Sequence, residues 1–154
     1  MLKKGTTMSD QKSLADLLSE SSIVLDATAA DRDDAIRKAG EALVASGAVE
    51  PDYVDAMLER ERTVSTYVGE GVAVPHGTLA SKDTVARNAL VFLRLPDGVA
   101  WGDETVHVVI GLAARGRGHI GLLSRLAGVL LDPARAGSLR DATTPAQVYD
   151  ALTA

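Results

Sequence analysis

Two stretches of this chain are apolar at almost every position, Ala89 to Leu95 and Val106 to Ala113. A strand with one face in water alternates apolar and polar residues, whereas one without alternation has to be covered on both faces. These two segments therefore predict buried strands of a sheet lying between two layers of helix, an α/β domain covered on both faces.

The rest of the chain supplies those layers. Leu14, Leu17 and Leu18 predict a short docking helix, followed by a brief strand at Ile23-Val24-Leu25. Asp31 is a good N-cap with Asp34 three residues on, Ile36, Ala39 and Leu43 form an apolar stripe, and Gly47 supplies a stop. Pro51 opens a second helix that turns Val54, Met57 and Leu58 inward and ends in the charged cluster Glu59-Arg60-Glu61-Arg62. Thr63 to Val68 and Val72 to Val74 then read as β structure, Pro96-Asp97-Gly98 punctuates the first apolar strand, and Gly116-Arg117-Gly118-His119 leads from the second into a helix carrying Leu123, Leu126, Ala127 and Leu130. Thr144-Pro145 starts a last helix that buries Val148 and Leu152.

With 154 residues there is material for one core, and aromatics at only 3% require it to be built from Leu, Val, Ile and Ala. Residues 13–154 form the expected domain, and residues 1–12, with Met8 as a second possible start, are an expected disordered tail. A net charge of −5 with interspersed signs argues against a nucleic-acid surface, and no apolar run approaches bilayer-spanning length. The absence of cysteine removes disulfides and thiol chemistry from this chain, and the expected location is the cytoplasm.

The stretch with most chemical promise is Gly69 to Thr78. Pro75 fixes its own φ and pushes Val74 towards an extended conformation, so the backbone entering His76 is stiff, while Gly77 leaves bare backbone beside the imidazole for a partner to reach. His119 lies on a glycine-flanked turn at a helix N-terminus, where unpaired N–H groups favour an anion. His107, inside the second apolar strand, reads as a residue at a sheet edge or surface. Two such histidines point to phosphate rather than metal. A neutral imidazole is a competent nucleophile near neutral pH and holds a phosphoryl group on one nitrogen while the other stays hydrogen-bonded. Arg60, Arg62, Arg115 and Arg117 are the candidate cations, each offering a planar fork to phosphate oxygens.

Competing motifs are weaker. Gly116 to Gly121 matches G-x-G-x-x-G, but little chain follows it and no second βα unit with a ribose-binding acid is evident. The histidines are not paired with carboxylates at metal-ligand spacing, and neither G-x-S-x-G nor a P-loop is present.

Taken together, Met57-Leu58-Glu59-Arg60-Glu61, Thr66-Tyr67-Val68-Gly69-Glu70, Ala73-Val74-Pro75-His76-Gly77-Thr78, Val109 to Arg115 and His119-Ile120 resemble enzyme IIA of the sugar phosphotransferase system, mannitol/fructose type, most closely its mannitol branch. One departure is the short link between Trp101-Gly102 and Val106, where mannitol-type members often carry a longer acidic segment. The resemblance implies a mixed β-sheet flanked by helices on both faces, in which His76 takes a phosphoryl group from the histidine-containing phosphocarrier protein and passes it to a cysteine of enzyme IIB, which serves the membrane enzyme IIC in the uptake and phosphorylation of mannitol or a related sugar or polyol. It implies further that His119 stabilises the phosphoryl group and Arg60 neutralises it, with no metal or cofactor required. Val72, Val74, Leu79 and the apolar side of the Tyr67 segment are candidates either for a docking surface or for the core. The alternative is a regulatory, nitrogen-type enzyme IIA whose phosphorylation state controls a partner protein.

Overall fold

The computed structural model describes residues 13–116 and 118–153, with the side chains of Leu79, Lys82, Asp83 and His119 also outside the description; the expected tail at residues 1–12 and the candidate Arg117 thus lie outside the described residues. A single five-stranded sheet runs through the middle. Its strands are β1 (Leu18–Val24), β2 (Tyr67–Gly69), β3 (Val72–Ala73), β4 (Ala89–Trp101) and β5 (Glu104–Ala113), in the spatial order β1-β4-β5-β3-β2. β1 is parallel to β4 and β3 to β5, while β4 with β5 and β2 with β3 are antiparallel, so the sheet is mixed.

The two apolar runs are its adjacent inner strands. Alternate residues of each feed opposite cores: Leu90, Phe92, Val108, Ile110 and Leu112 go to one, Val91, Leu93, Val109 and Ala113 to the other. Helices α1 (Arg32–Ala45) and α2 (Asp52–Thr63) cover the second face, and α3 (Gly118–Leu130), α4 (Pro133–Asp141) and α5 (Pro145–Thr153) cover the first. The α1 start follows its capping signal, the Asp31 carboxylate accepting from the Asp34 N–H at 2.8 Å and the Asp34 carboxylate from the Ala30 N–H at 2.9 Å.

Several local expectations are corrected. The docking helix is a short 3₁₀ turn, Ala15–Leu17, and Leu18 already belongs to β1. Pro96-Asp97-Gly98 does not end β4; the strand continues to Trp101 through a register shift between Arg94 and Val99 that absorbs the extra residues. Its short link to β5 is a tight hairpin at Gly102-Asp103, with Trp101 opposite Glu104. His107 stands on an inner strand, not an edge, half-buried, with Nδ1 against the Leu95 carbonyl at 3.1 Å. Helix α4 has no counterpart among the sequence expectations, because only Ala136 and Leu139 of it are buried; its Asp132 cap, accepting from the Ala134 N–H, and Pro133 are the signals that mark its start.

Candidate functional site

His76 is held by the sheet. β3 pairs with β5 at Val72 opposite Val108 and Ala73 opposite Val109, and His76 stands opposite Leu112 at the same offset, so residues 74–76 carry the β3 register on along β5. Val74 donates its N–H to the Thr66 carbonyl at 3.0 Å, and the Pro75 carbonyl accepts from the Leu112 N–H at 2.9 Å. The ring itself is fixed by a contact of 2.9 Å between Nδ1 and the Val74 carbonyl. A carbonyl only accepts, so Nδ1 carries the hydrogen and the neutral ring has its lone pair on Nε2.

His76 is 9% exposed and lines a cavity of about 240 Å³ together with Arg60, Ser65, Thr66, Val68, Val74 and residues of α3 from Leu123 to Leu130. Of the four candidate arginines, the described structure brings only Arg60 into this cavity. Its Nη1 donates to the Val64 carbonyl at 2.6 Å, which holds the guanidinium over the end of α2. Arg62 and Arg115 are exposed and line no part of it. His119 sits in the first turn of α3, the helix that forms one wall, and its side chain is outside the description.

The inward stripe of α2 is rotated by one residue from expectation. Tyr53, Met57 and Glu61 are buried at i, i+4 and i+8, whereas Val54 and Leu58 are only half-buried. Glu61 therefore leaves the expected surface charge cluster and is only 3% exposed. One carboxylate oxygen accepts from the Thr66 N–H at 3.0 Å and from the Trp101 indole N–H at 2.9 Å, and the other from the Thr66 hydroxyl. This node ties the end of α2 to the segment that walls the cavity beside Arg60. Tyr53 is a second residue beyond the sequence expectations; its hydroxyl donates to the Leu112 carbonyl at 3.0 Å and accepts from the Gly77 N–H at 2.9 Å. Burial pushes the phenol's pKa up, opposed by the Gly77 hydrogen bond, so it remains a neutral donor near pH 7.

Tyr53 also explains Gly77 differently from the expected bare approach. A Cβ there would lie 2.6 Å from Tyr53 Cε1 and 2.4 Å from Ser81 Oγ, so glycine is needed for interior packing. Gly121, third in the G-x-G-x-x-G match, has nothing within 4 Å of where a Cβ would stand, so it does not serve the close helix packing that the dinucleotide motif requires of it. Of the residues open to either reading, docking surface or core, Val72 and Val74 are core, buried at 0% and 1% exposure, and Tyr67 is half-buried with its hydroxyl accepting from the Gly71 N–H. Leu79 lies outside the description of side chains. Among the exposed large apolar residues, Val68 lines the cavity, Val64 precedes the lining residue Ser65 in the chain, and Ile120 lies in the first turn of α3. Among the described residues no three His, Cys, Asp or Glu side chains group as a metal site, and no helix is long and apolar enough to cross a membrane.

The chain has counterparts among known proteins. Residues 16–154 match the family described as "Phosphoenolpyruvate-dependent sugar phosphotransferase system, EIIA 2". The mannitol-specific phosphotransferase enzyme IIA component of Staphylococcus aureus is 44% identical over 114 residues, 74% of this chain and 79% of that protein. The mannitol-specific EIICBA component of Escherichia coli is 43% identical over 138 residues, 88% of this chain, which spans only 22% of that longer relative. Among solved structures, a chain from the complex of enzyme IIAMTL and phosphorylated enzyme IIBMTL of Escherichia coli superposes with a TM-score of 0.82 at 41% identity, covering 88% of this chain and 98% of the other.

Proposed function

Because this chain belongs to the EIIA 2 family of the phosphoenolpyruvate-dependent sugar phosphotransferase system, we propose that it is a phosphocarrier whose His76 accepts a phosphoryl group from the histidine-containing phosphocarrier protein and hands it to a cysteine of enzyme IIB. The observation that carries this reading is the Nδ1 contact to the Val74 carbonyl at the wall of a cavity shared with Arg60. With the hydrogen held on Nδ1, Nε2 attacks phosphorus in line, an N–P bond forms on His76 and the donor's N–P bond breaks, leaving the donor histidine neutral. The Val74 carbonyl then supports the N–H of a ring that carries positive charge while phosphorylated. Charge on three phosphoryl oxygens calls for positioning and electrostatic stabilisation, which Arg60 supplies with its fork and His119 from the first turn of α3. In the second half-reaction a thiolate of enzyme IIB attacks phosphorus, an S–P bond forms, and His76 returns to its neutral state.

Val64, Val68 and Ile120 suit the docking of two partners by turns, because exposed apolar groups around a recessed nucleophile give short-lived contacts of modest area. In this reading the protein is cytoplasmic, the membrane enzyme IIC takes part only through enzyme IIB, and the substrate is mannitol, the specificity named for the relatives in Staphylococcus aureus and Escherichia coli, or a related sugar or polyol. The test is incubation with phosphoenolpyruvate, the general phosphotransferase enzyme and the phosphocarrier protein, followed by mass spectrometry. One acid-labile phosphoryl group on the native chain, none on His76→Ala, and its loss on adding a mannitol-type enzyme IIB are expected. Full labelling of His76→Ala overturns the proposal, and labelling without onward transfer replaces it with the regulatory alternative.

A further inference from the structure

The last rung of the ladder between residues 74–77 and β5 carries a side chain as well as backbone. In a parallel pairing centred on His76 and Leu112, the Pro75 carbonyl accepts from Leu112 and the next rung joins the Gly77 N–H to the Leu112 carbonyl. Here those two groups are bridged by the Tyr53 hydroxyl, which accepts from Gly77 at 2.9 Å and donates to Leu112 at 3.0 Å. The same ring lies against the Gly77 backbone, within 2.8 Å of where a Cβ would stand. Tyr53 comes from the first turn of α2, the helix whose other end carries Arg60.

We infer that Tyr53 is a positioning residue for phosphoryl transfer: its hydroxyl, bridging the two groups of the rung immediately after His76, sets the spacing of this segment from β5 and so where the imidazole stands in the cavity relative to Arg60. The inference rests on His76 being the phosphoryl carrier. Without the hydroxyl the chain after His76 has two choices. It closes onto β5 through a direct Gly77 to Leu112 bond, or it leaves both groups unpartnered and the segment loosened. Either change moves Nε2 from its line of attack, while Val64, Val68 and Ile120, the exposed residues proposed above for docking, stay as they are.

The experiment is rapid-quench measurement of phosphoryl transfer from the phosphorylated phosphocarrier protein to the full chain, native and Tyr53→Phe, over a range of donor concentrations. The expected result is a maximal rate lower by ~10- to ~100-fold, the scale that a misplacement of an ångström or less imposes, with the half-saturating donor concentration unchanged. The ¹⁵N resonances of the His76 ring shift in the same variant. A wild-type maximal rate in Tyr53→Phe, or a loss carried wholly by half-saturation, overturns the inference and leaves the carrier role of His76 standing; absence of transfer to the native chain overturns both. Should Tyr53→Phe not fold, difluorotyrosine placed at position 53 keeps the ring but ionises at lower pH. An ionised hydroxyl cannot donate to the Leu112 carbonyl, so the rate of that protein falls as pH rises through the fluorophenol's titration, and a pH-independent rate overturns the inference.

Discussion

Replacing Glu61 by alanine and by glutamine separates the worth of its hydrogen bonds from that of its charge. In the native protein one carboxylate oxygen accepts from the Thr66 N–H and the Trp101 indole N–H, and the other from the Thr66 hydroxyl, with Thr66 and Trp101 themselves buried. Alanine leaves two buried N–H donors without partners, at ~1–3 kcal/mol each, whereas the hydroxyl can rotate. The loss should therefore be about 4 kcal/mol, a large share of the ~5–15 kcal/mol that holds a domain of this kind together. Glutamine can place its carbonyl where both N–H groups point and its amide where the Thr66 hydroxyl can accept, so all three bonds survive and only charge assistance is lost, about 1 kcal/mol. Urea unfolding followed by circular dichroism and by fluorescence of Trp101, the one tryptophan of the chain, measures both variants. Equal losses in the two, or a loss below ~1 kcal/mol in alanine, would refute the reasoning, because neither is compatible with a carboxylate whose main task is to receive three donors.

Three further outcomes follow from the same geometry. Gly77→Ala puts a methyl group into Tyr53 and Ser81 and should lower stability by ~1–3 kcal/mol in thermal or urea unfolding, despite alanine's gentler backbone entropy. Val68→Asp, at a half-exposed position on the cavity wall, should raise the half-saturating concentration of the phosphocarrier protein several-fold in rapid-quench kinetics while leaving the saturating rate unchanged. The pKa of Tyr53 is raised on folding by burial, so the folded state binds the phenolic proton more tightly; its contribution is present below about pH 10 and is lost as pH rises from there through the folded pKa. Alkaline unfolding curves should thus be less steep in pH for Tyr53→Phe than for the native chain, with Tyr149, also raised by burial, accounting for part of what remains.

The layered fold was legible because Ala89 to Leu95 and Val106 to Ala113 admit no solvent face, and β4 and β5 are the adjacent inner strands of a sheet covered on both sides. Edges were harder to see. The Ser19 to Ser22 portion of β1 is polar because it borders the sheet, and α4 buries too few apolar residues to show a period. His76 could be named from its motif and Arg60 from the family resemblance, but residue types by themselves could not decide among four arginines. That choice depends on which end of α2 meets the cavity, a property of chain packing. Glu61 and Tyr53 were hidden for a similar reason. A glutamate between two arginines reads as surface, and only the i, i+4, i+8 spacing with Met57 signals that Tyr53 and Glu61 face inward.

In the proposed mechanism Nε2 of His76 carries the phosphoryl group while Nδ1 stays bonded to the Val74 carbonyl, and every other role follows from that division. NMR of the phosphorylated, ¹⁵N-labelled protein decides it, by reading which ring nitrogen is coupled to phosphorus and in which histidine. Phosphorus on Nε2 of His76, with a proton retained on Nδ1, is the predicted result. Phosphorus on Nδ1, or on His119 or His107, would contradict it.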